Sequence, residues 1–266
     1  LTLWLSICLA LGSFGIGWSG DFKKGVEAYN KGDFATALKE WTPLAEQGNV
    51  KAQYNLGLMY DMGKGVLQDY KEAVRWYQLA AEQGYSSAQH NLGLLYFNGQ
   101  GISQDHQEAV KWITLSADQG EVESQKNLGI IYRDGEAVPQ DYQTAAKWFE
   151  LAATKGNITS QINIGFFYYN GQGVPQDYQE TVKWMTLASE QGSPQAQHNM
   201  AYLYNNGQGV KIDKVYAHMW ASIASSQGFE NSKGLLEALN KEMTPSQIQE
   251  AQRLTEECVK KNYKGC

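Results

Sequence analysis

Histidine, cysteine and acidic side chains are the groups in this chain that could carry metal or nucleophilic chemistry, and their spacing supports neither. There are four histidines, His90, His106, His198 and His218, and three cysteines, Cys8, Cys258 and Cys266. His90 and His198 lie 108 residues apart, so they are not a ligand pair on one element. No H-E-x-x-H, C-x-x-C, G-x-S-x-G or S-x-x-K motif occurs. The G-x-G segments, such as Gly99-Gln100-Gly101, lack the third glycine and the preceding strand of a dinucleotide site and read as turns. Aspartates recur at Asp33, Asp69, Asp105, Asp141, Asp177 and Asp213. Adjacent ones stand a full period apart, which suits helix caps rather than an acid/base pair. The expectation is no catalytic residue, no metal and no cofactor.

The elements that position these residues form a repeat. Gly48, Gly84, Gly120, Gly156, Gly192 and Gly228 are 36 residues apart. Trp76, Trp112, Trp148, Trp184 and Trp220 keep that period, as do the tyrosines from Tyr60 to Tyr204. Asn55, Asn91, Asn127, Asn163 and Asn199 do likewise. A fixed period of this length is the signature of a stacked-repeat architecture. Composition agrees. The chain has 266 residues, a net charge of −6 and 42% hydrophobic residues. An acidic balance argues against nucleic acid. A mean hydropathy of −0.48 excludes a multi-span membrane protein.

Each unit reads as two helices. From Ser86 to Tyr96, apolar or small residues fall at helical spacing, and Asn98-Gly99-Gln100-Gly101 breaks the helix. Asp105 starts the second helix as N-cap, and Glu108 completes a capping-box pattern that Asp69–Glu72 and Asp177–Glu180 repeat. Ala109, Val110, Trp112, Ile113 and Ala117 mark its buried stripe, and Gly120 ends it in the left-handed conformation. Gly93, Gly129 and Gly165 sit inside helices, where glycine costs about 1 kcal/mol against alanine, so a neighbouring helix must approach closely. Ala137 and Ala201 depart from the turn and mid-helix glycines, predicting an altered turn and wider helix spacing in those units.

The pattern resembles the Sel-1-like repeat family, relatives of the tetratricopeptide repeats. The carrying residues are Ala88-Gln89-x-Asn91-Leu92-Gly93-x-x-Tyr96-x-x-Gly99-x-Gly101, then Asp105-x-x-x-Ala109-x-x-Trp112 and Ala117-x-Gln119-Gly120. The resemblance spans residues 21–228 and implies an all-α, right-handed α-solenoid superhelix of antiparallel helix pairs from a bacterium. A shorter unit at 21–48 precedes five units at 49–84, 85–120, 121–156, 157–192 and 193–228. Residues 229–266 read as two closing helices and a tail, with Thr244 capping the second, since a terminal unit otherwise exposes its apolar side.

Residues 1–20 carry no charge and are mostly apolar up to Ile16, the length of a signal-peptide core; an uncleaved membrane anchor is the alternative. The cationic start is missing and the first residue is Leu, which points to a truncated or alternative start. Cys8 lies inside this core, an unsuitable place for lipidation. After cleavage Cys258 and Cys266 remain, an even count that in an exported chain favours a disulfide over two free thiols. The expected location is periplasmic or secreted, with no membrane contact after cleavage.

In the related tetratricopeptide superhelix the first helix of each unit lines the concave groove. The same face here carries Tyr54 and Leu58, then His90, Leu94 and Phe97, then Lys126, Ile130 and Arg133. It continues with Phe166 and Tyr169, then His198, Tyr202 and Asn205. These aromatic and aliphatic groups with scattered polar ones suit an extended peptide or a partner's helix. Leu58, Leu94, Ile130, Phe166 and Tyr202 have a competing role as partial core. The resulting expectation is a non-catalytic adaptor that binds a protein or peptide and no nucleic acid. Some cysteine-rich members of the resembled family bind or hydrolyse β-lactams, which is the enzymatic alternative; the repeats here lack their paired cysteines.

Overall fold

The computed structural model describes residues 20–266, and the leader segment and Cys8 lie outside them. All regular structure among the described residues is helical, in fourteen helices. They fall into two compact units, residues up to Gln83 and residues from Gly84 on. The first holds α1 (Phe22–Asn30), α2 (Phe34–Glu46), α3 (Val50–Met62) and α4 (Tyr70–Glu82). The second begins with α5 (Ser86–Asn98), α6 (His106–Asp118), α7 (Val122–Asp134), α8 (Tyr142–Thr154) and α9 (Ile158–Asn170). It continues with α10 (Tyr178–Glu190), α11 (Pro194–Asn206), α12 (Lys214–Ser226), α13 (Asn231–Glu242) and α14 (Pro245–Lys260). Within each unit a helix packs mainly on its neighbours in sequence, and α14 returns onto α12. That nearest-neighbour packing is the α-solenoid arrangement.

The aspartates are caps. Asp105 Oδ1 accepts from the backbone N–H groups of Gln107 at 2.9 Å and Glu108 at 3.0 Å, and Asp69, Asp141, Asp177 and Asp213 do the same in their units. The expected capping box does not form there. The Asp105 N–H that Glu108 would satisfy already donates to the Tyr96 carbonyl at 3.0 Å, and Asp69 and Asp177 bond Tyr60 and Tyr168 in the same way. The glutamates turn outward to Arg75, Lys111 and Lys183 instead. A full capping box is present at Thr244–Gln247.

The mid-helix glycines are places of close approach. A Cβ on Gly129 would stand 2.5 Å from the Phe149 ring, and one on Gly93 would stand 2.6 Å from Ile113. In the last long unit the sizes are exchanged. Ala201 occupies the glycine position and Ala221 the large residue's position, both fully buried in one cluster. The wider spacing expected at Ala201 is therefore not required, because Ala221 makes room for the methyl group. The turn at Ala137 does change. Gly101, Gly173 and Gly209 adopt positive φ near +70°, whereas Ala137 does not. The bond from Gln100 N–H to Leu95 C=O has no counterpart at Glu136 among the backbone bonds. The tryptophans are less uniform than their period: Trp76, Trp184 and Trp220 are buried, while Trp112 and Trp148 are half-buried, and so is Val110.

Candidate functional site

The first helices of the second unit, α5, α7, α9 and α11, carry most of the residues singled out from the sequence. Leu94, Ile130 and Phe166 are half-buried and pack against core clusters, so they serve the core as well as the face. Tyr202 departs from that expectation, since 46% of its surface is exposed.

Two cavities open along this face. The first, of about 290 Å³, lies among α9, α10 and α11 and brings together Phe166, Tyr169, His198 and Tyr202, floored by Met185 and edged by Asn199. The second, of about 220 Å³, lies among α5, α6 and α7 and gathers Leu94, Phe97 and Ile130 over Ile113, edged by Asn127. Six lining residues of each coincide after a shift of two repeats, among them Leu94 with Phe166, Phe97 with Tyr169, and Asn127 with Asn199, whereas His198 and Thr181 line only the first. In the first unit, Leu58 and Asn55, which hold the same repeat phase, line a cavity of about 190 Å³ with Tyr29 and Trp41.

The aromatic groups at these cavities are held in place. Phe97 stacks on His106 with ring centroids 5.0 Å apart. Tyr169 meets the edge of Tyr178 at 5.3 Å and donates its hydroxyl to Gln208 Oε1 at 3.1 Å. His198 Nδ1 lies 2.9 Å from Ser232 Oγ, and the ring faces Phe229 at 5.2 Å. Burial pushes the His198 imidazole below its ordinary value, and does the same to His90.

Other residues expected on the face are committed elsewhere. Arg133 stands at the position of Phe97 and Tyr169, but its guanidinium clasps Asp134 and donates to Asn163 Oδ1 at 2.6 Å. Lys126 is ion-paired with Glu123. Asn205 Oδ1 accepts from Lys214 Nζ at 2.7 Å. Tyr54 belongs to the first unit, where its ring lies 5.9 Å from Tyr77. The asparagines at the cavity edges were visible in the sequence only as part of the period; their position beside Leu94 and Phe166 emerges once the helices stack.

His90 Nδ1 is 2.7 Å from Ser124 Oγ, but Ser124 is fully buried and bonds Ser116 Oγ at 2.7 Å, out of reach of any substrate. Among the described residues no cluster of three His, Cys, Asp or Glu side chains is placed to hold a metal ion. None of the described helices is long and apolar enough to cross a membrane. Cys258 and Cys266 are disulfide-bonded with Cα atoms 5.5 Å apart. The closed tail folds back so that Gly265 N–H donates to Glu190 Oε1 at 2.9 Å.

Comparison with known proteins places this architecture. The family model of the Sel1 repeat matches residues 50–85, 86–121, 122–157, 158–193 and 194–229. Among solved structures, a protective antigen present in uropathogenic Escherichia coli strains, displaying an SLR fold, superposes with a TM-score of 0.80 and 33% identity. That match covers 90% of this chain but 54% of the antigen, so the chain spans about half of that relative's length. A Sel1 repeat protein from Oxalobacter formigenes superposes with a TM-score of 0.78 and 30% identity, covering 89% of this chain and 99% of that one. No curated protein matches the chain.

Proposed function

The chain belongs to the Sel1 repeat family, and from that premise we propose that it is a non-catalytic scaffold, acting outside the cytoplasm, that binds a peptide or protein segment along its first-helix face. Sel1 repeat proteins are in general scaffolds for protein–protein interaction. The observation that carries the reading is the cavity that gathers Phe166, Tyr169, His198 and Tyr202. It is mainly apolar, with a few fixed polar groups, which is the chemistry that accepts anchoring side chains of a peptide. The Cys258–Cys266 disulfide supports a periplasmic or secreted location, because such bonds persist in oxidising compartments. The uncharged segment at residues 1–20 supports the same location through its signal-like composition.

Capture from a bacterial envelope extract tests the reading, with the wild-type chain and a Phe97→Ala, Tyr169→Ala double variant compared at equal folded concentration. The expected result is a partner retained by the wild type and lost by the variant. Equal capture by both moves the interaction to the second helices or the turns.

A further inference from the structure

We infer that His198 sets the specificity of the cavity among α9, α10 and α11, donating from Nε2 to the phenol oxygen of a tyrosine that anchors a bound peptide there. This rests on the preceding reading of the face as a binding surface and names the side chain that the cavity selects.

His198 is part of the cavity wall, but its hydrogen bonding is set from outside the cavity. Nδ1 lies 2.9 Å from Oγ of Ser232, a residue of α13. Ser232 is fully buried, and its hydroxyl has no other partner among the described residues. A buried hydroxyl hydrogen needs an acceptor, and Nδ1 is the one within reach. A neutral imidazole whose Nδ1 accepts carries its proton on Nε2. Burial favours that neutral form, since it holds the imidazole below its ordinary value. Nε2 makes no hydrogen bond among the described residues. The Phe229 ring, 5.2 Å away, completes the clamp. The segment after α12 thus fixes a donor in the wall of a mainly apolar cavity.

Two other polar groups of the wall are already engaged. The Thr181 hydroxyl donates to the Asp177 carbonyl at 2.9 Å, and the Tyr169 hydroxyl to Gln208 Oε1. The remaining lining favours a ring: Phe166, Tyr169 and Tyr202 offer aromatic surfaces and Met185 a thioether. A tyrosine places a phenol oxygen as acceptor at the end of such a ring. Phenylalanine fills the same space but displaces water from the imidazole N–H without replacing its bond, a mismatch that separates the two side chains. The cavity among α5, α6 and α7 lacks this device. Lys126 holds the phase of His198 but is ion-paired with Glu123 and does not line that cavity, which is smaller, at about 220 Å³. An apolar side chain suits it, so the two recesses read different residues of one segment.

The probe is a set of short synthetic peptides made in pairs that differ only by tyrosine or phenylalanine at one position. Binding to the full chain is followed by fluorescence anisotropy. Pairs that bind show a tyrosine preference of about tenfold, and His198→Phe reduces it to less than about twofold. Phe97→Ala weakens both members of a pair alike and leaves the preference intact. Nitrogen-15 NMR of the free wild-type chain, which needs no variant, shows His198 with a bare Nδ1 and a protonated Nε2. Thermal unfolding verifies that each variant is folded. A proton on Nδ1, or a tyrosine preference that survives His198→Phe, overturns the role of His198. Pairs that bind without a tyrosine preference and are weakened by Phe97→Ala also overturn it, while the binding face stands. If no pair binds, or Phe97→Ala weakens none, both readings fall.

Discussion

Gln191 Nε2 donates to Gln161 Oε1 at 2.8 Å, across thirty residues of sequence. Gln161 in turn donates from Nε2 to the Ala153 carbonyl at 3.1 Å, so a buried amide satisfies a helix end and is itself held by the exposed Gln191. The relay recurs as Gln83 to Gln53, Gln119 to Gln89 and Gln227 to Gln197. One rung is missing. Lys155 stands where the donor glutamine belongs, and its ammonium bonds the Gly120 carbonyl at 2.6 Å. Gln125 Oε1 is consequently buried without a partner.

Lys155→Gln should restore that rung. A buried acceptor left unsatisfied costs on the order of 1–3 kcal/mol, and part of this returns when a donor is supplied. Denaturant unfolding should show a gain of about 1 kcal/mol with an unchanged slope. Gln191→Lys should destabilise the chain by a similar amount, since it orphans Gln161 Oε1. A neutral Lys155→Gln would mean that Gln125 is satisfied by another group.

Gly129→Ala should destabilise the fold although alanine is the better helix former. The added methyl would lie 2.5 Å from the Phe149 ring, whose aromatic frame cannot bend away. Overpacking of this kind costs about 1–3 kcal/mol, enough to outweigh the ~1 kcal/mol helix preference. The melting temperature is the readout, and a rise would show that α7 and α8 can separate freely.

Reduction of Cys258–Cys266, or Cys266→Ser, should cost about 2 kcal/mol, near the low end for a bridge that closes a short loop. Hydrogen exchange should localise the change to residues 262–266 and to the end of α10, where Gly265 bonds Glu190. Unchanged protection of Gly265 in the reduced protein would show that the tail docks without the bond.

Acid should destabilise the chain beginning at mildly acidic pH. Burial holds the His90 and His198 imidazoles below the ordinary value of 6.5, so the unfolded chain takes up protons that the folded chain refuses. Their contribution to stability is complete above that value and is lost as pH falls toward the folded pKa values. At His90, the acidic Glu121 and Glu123 partly offset the burial and Lys126 adds to it. Asp33, Asp141 and Glu40, whose carboxyls are held low by hydrogen bonds and ion pairing, withdraw their contributions only in the ordinary carboxylate range or below. Unfolding midpoints measured between about pH 7.5 and pH 5.5 should fall, and a His90→Gln, His198→Gln double variant should flatten the curve. A double variant as steep as the wild type would place the acid response elsewhere.

What the sequence disclosed and what it hid divide along a physical line. Asp105 was readable as a cap because an N-cap acts on backbone groups two and three residues away. The role of Glu108 was not, because the competing acceptor, the Tyr96 carbonyl, is delivered by the turn between α5 and α6. Gly129 signalled close approach through its local cost, whereas Ala201 misled until Ala221 was seen on the facing helix. On the first-helix face, Phe97, Tyr169 and His198 could be picked out from the period, and they line its two cavities. Arg133 looked equally available, and its inward turn depends on Asn163, thirty residues on. Local grammar was legible, and pairings between repeats became legible only once the helices were stacked.

Arg133 also bears on alignment. Tandem near-copies offer an incoming strand several equivalent places to sit, and nothing in a uniform series prevents it from slipping by one copy. At one step of this series a guanidinium bound to Asn163 replaces the aromatic ring found two steps apart at Phe97 and Tyr169. On the proposed reading of the face, a strand displaced by one copy would set a hydrophobic anchor against that guanidinium and its ion pair with Asp134. With Asn205 at the same phase one copy further on, the residues from Phe97 to Asn205 change at every step, and on the proposed reading of the face that change would set the register of a bound strand.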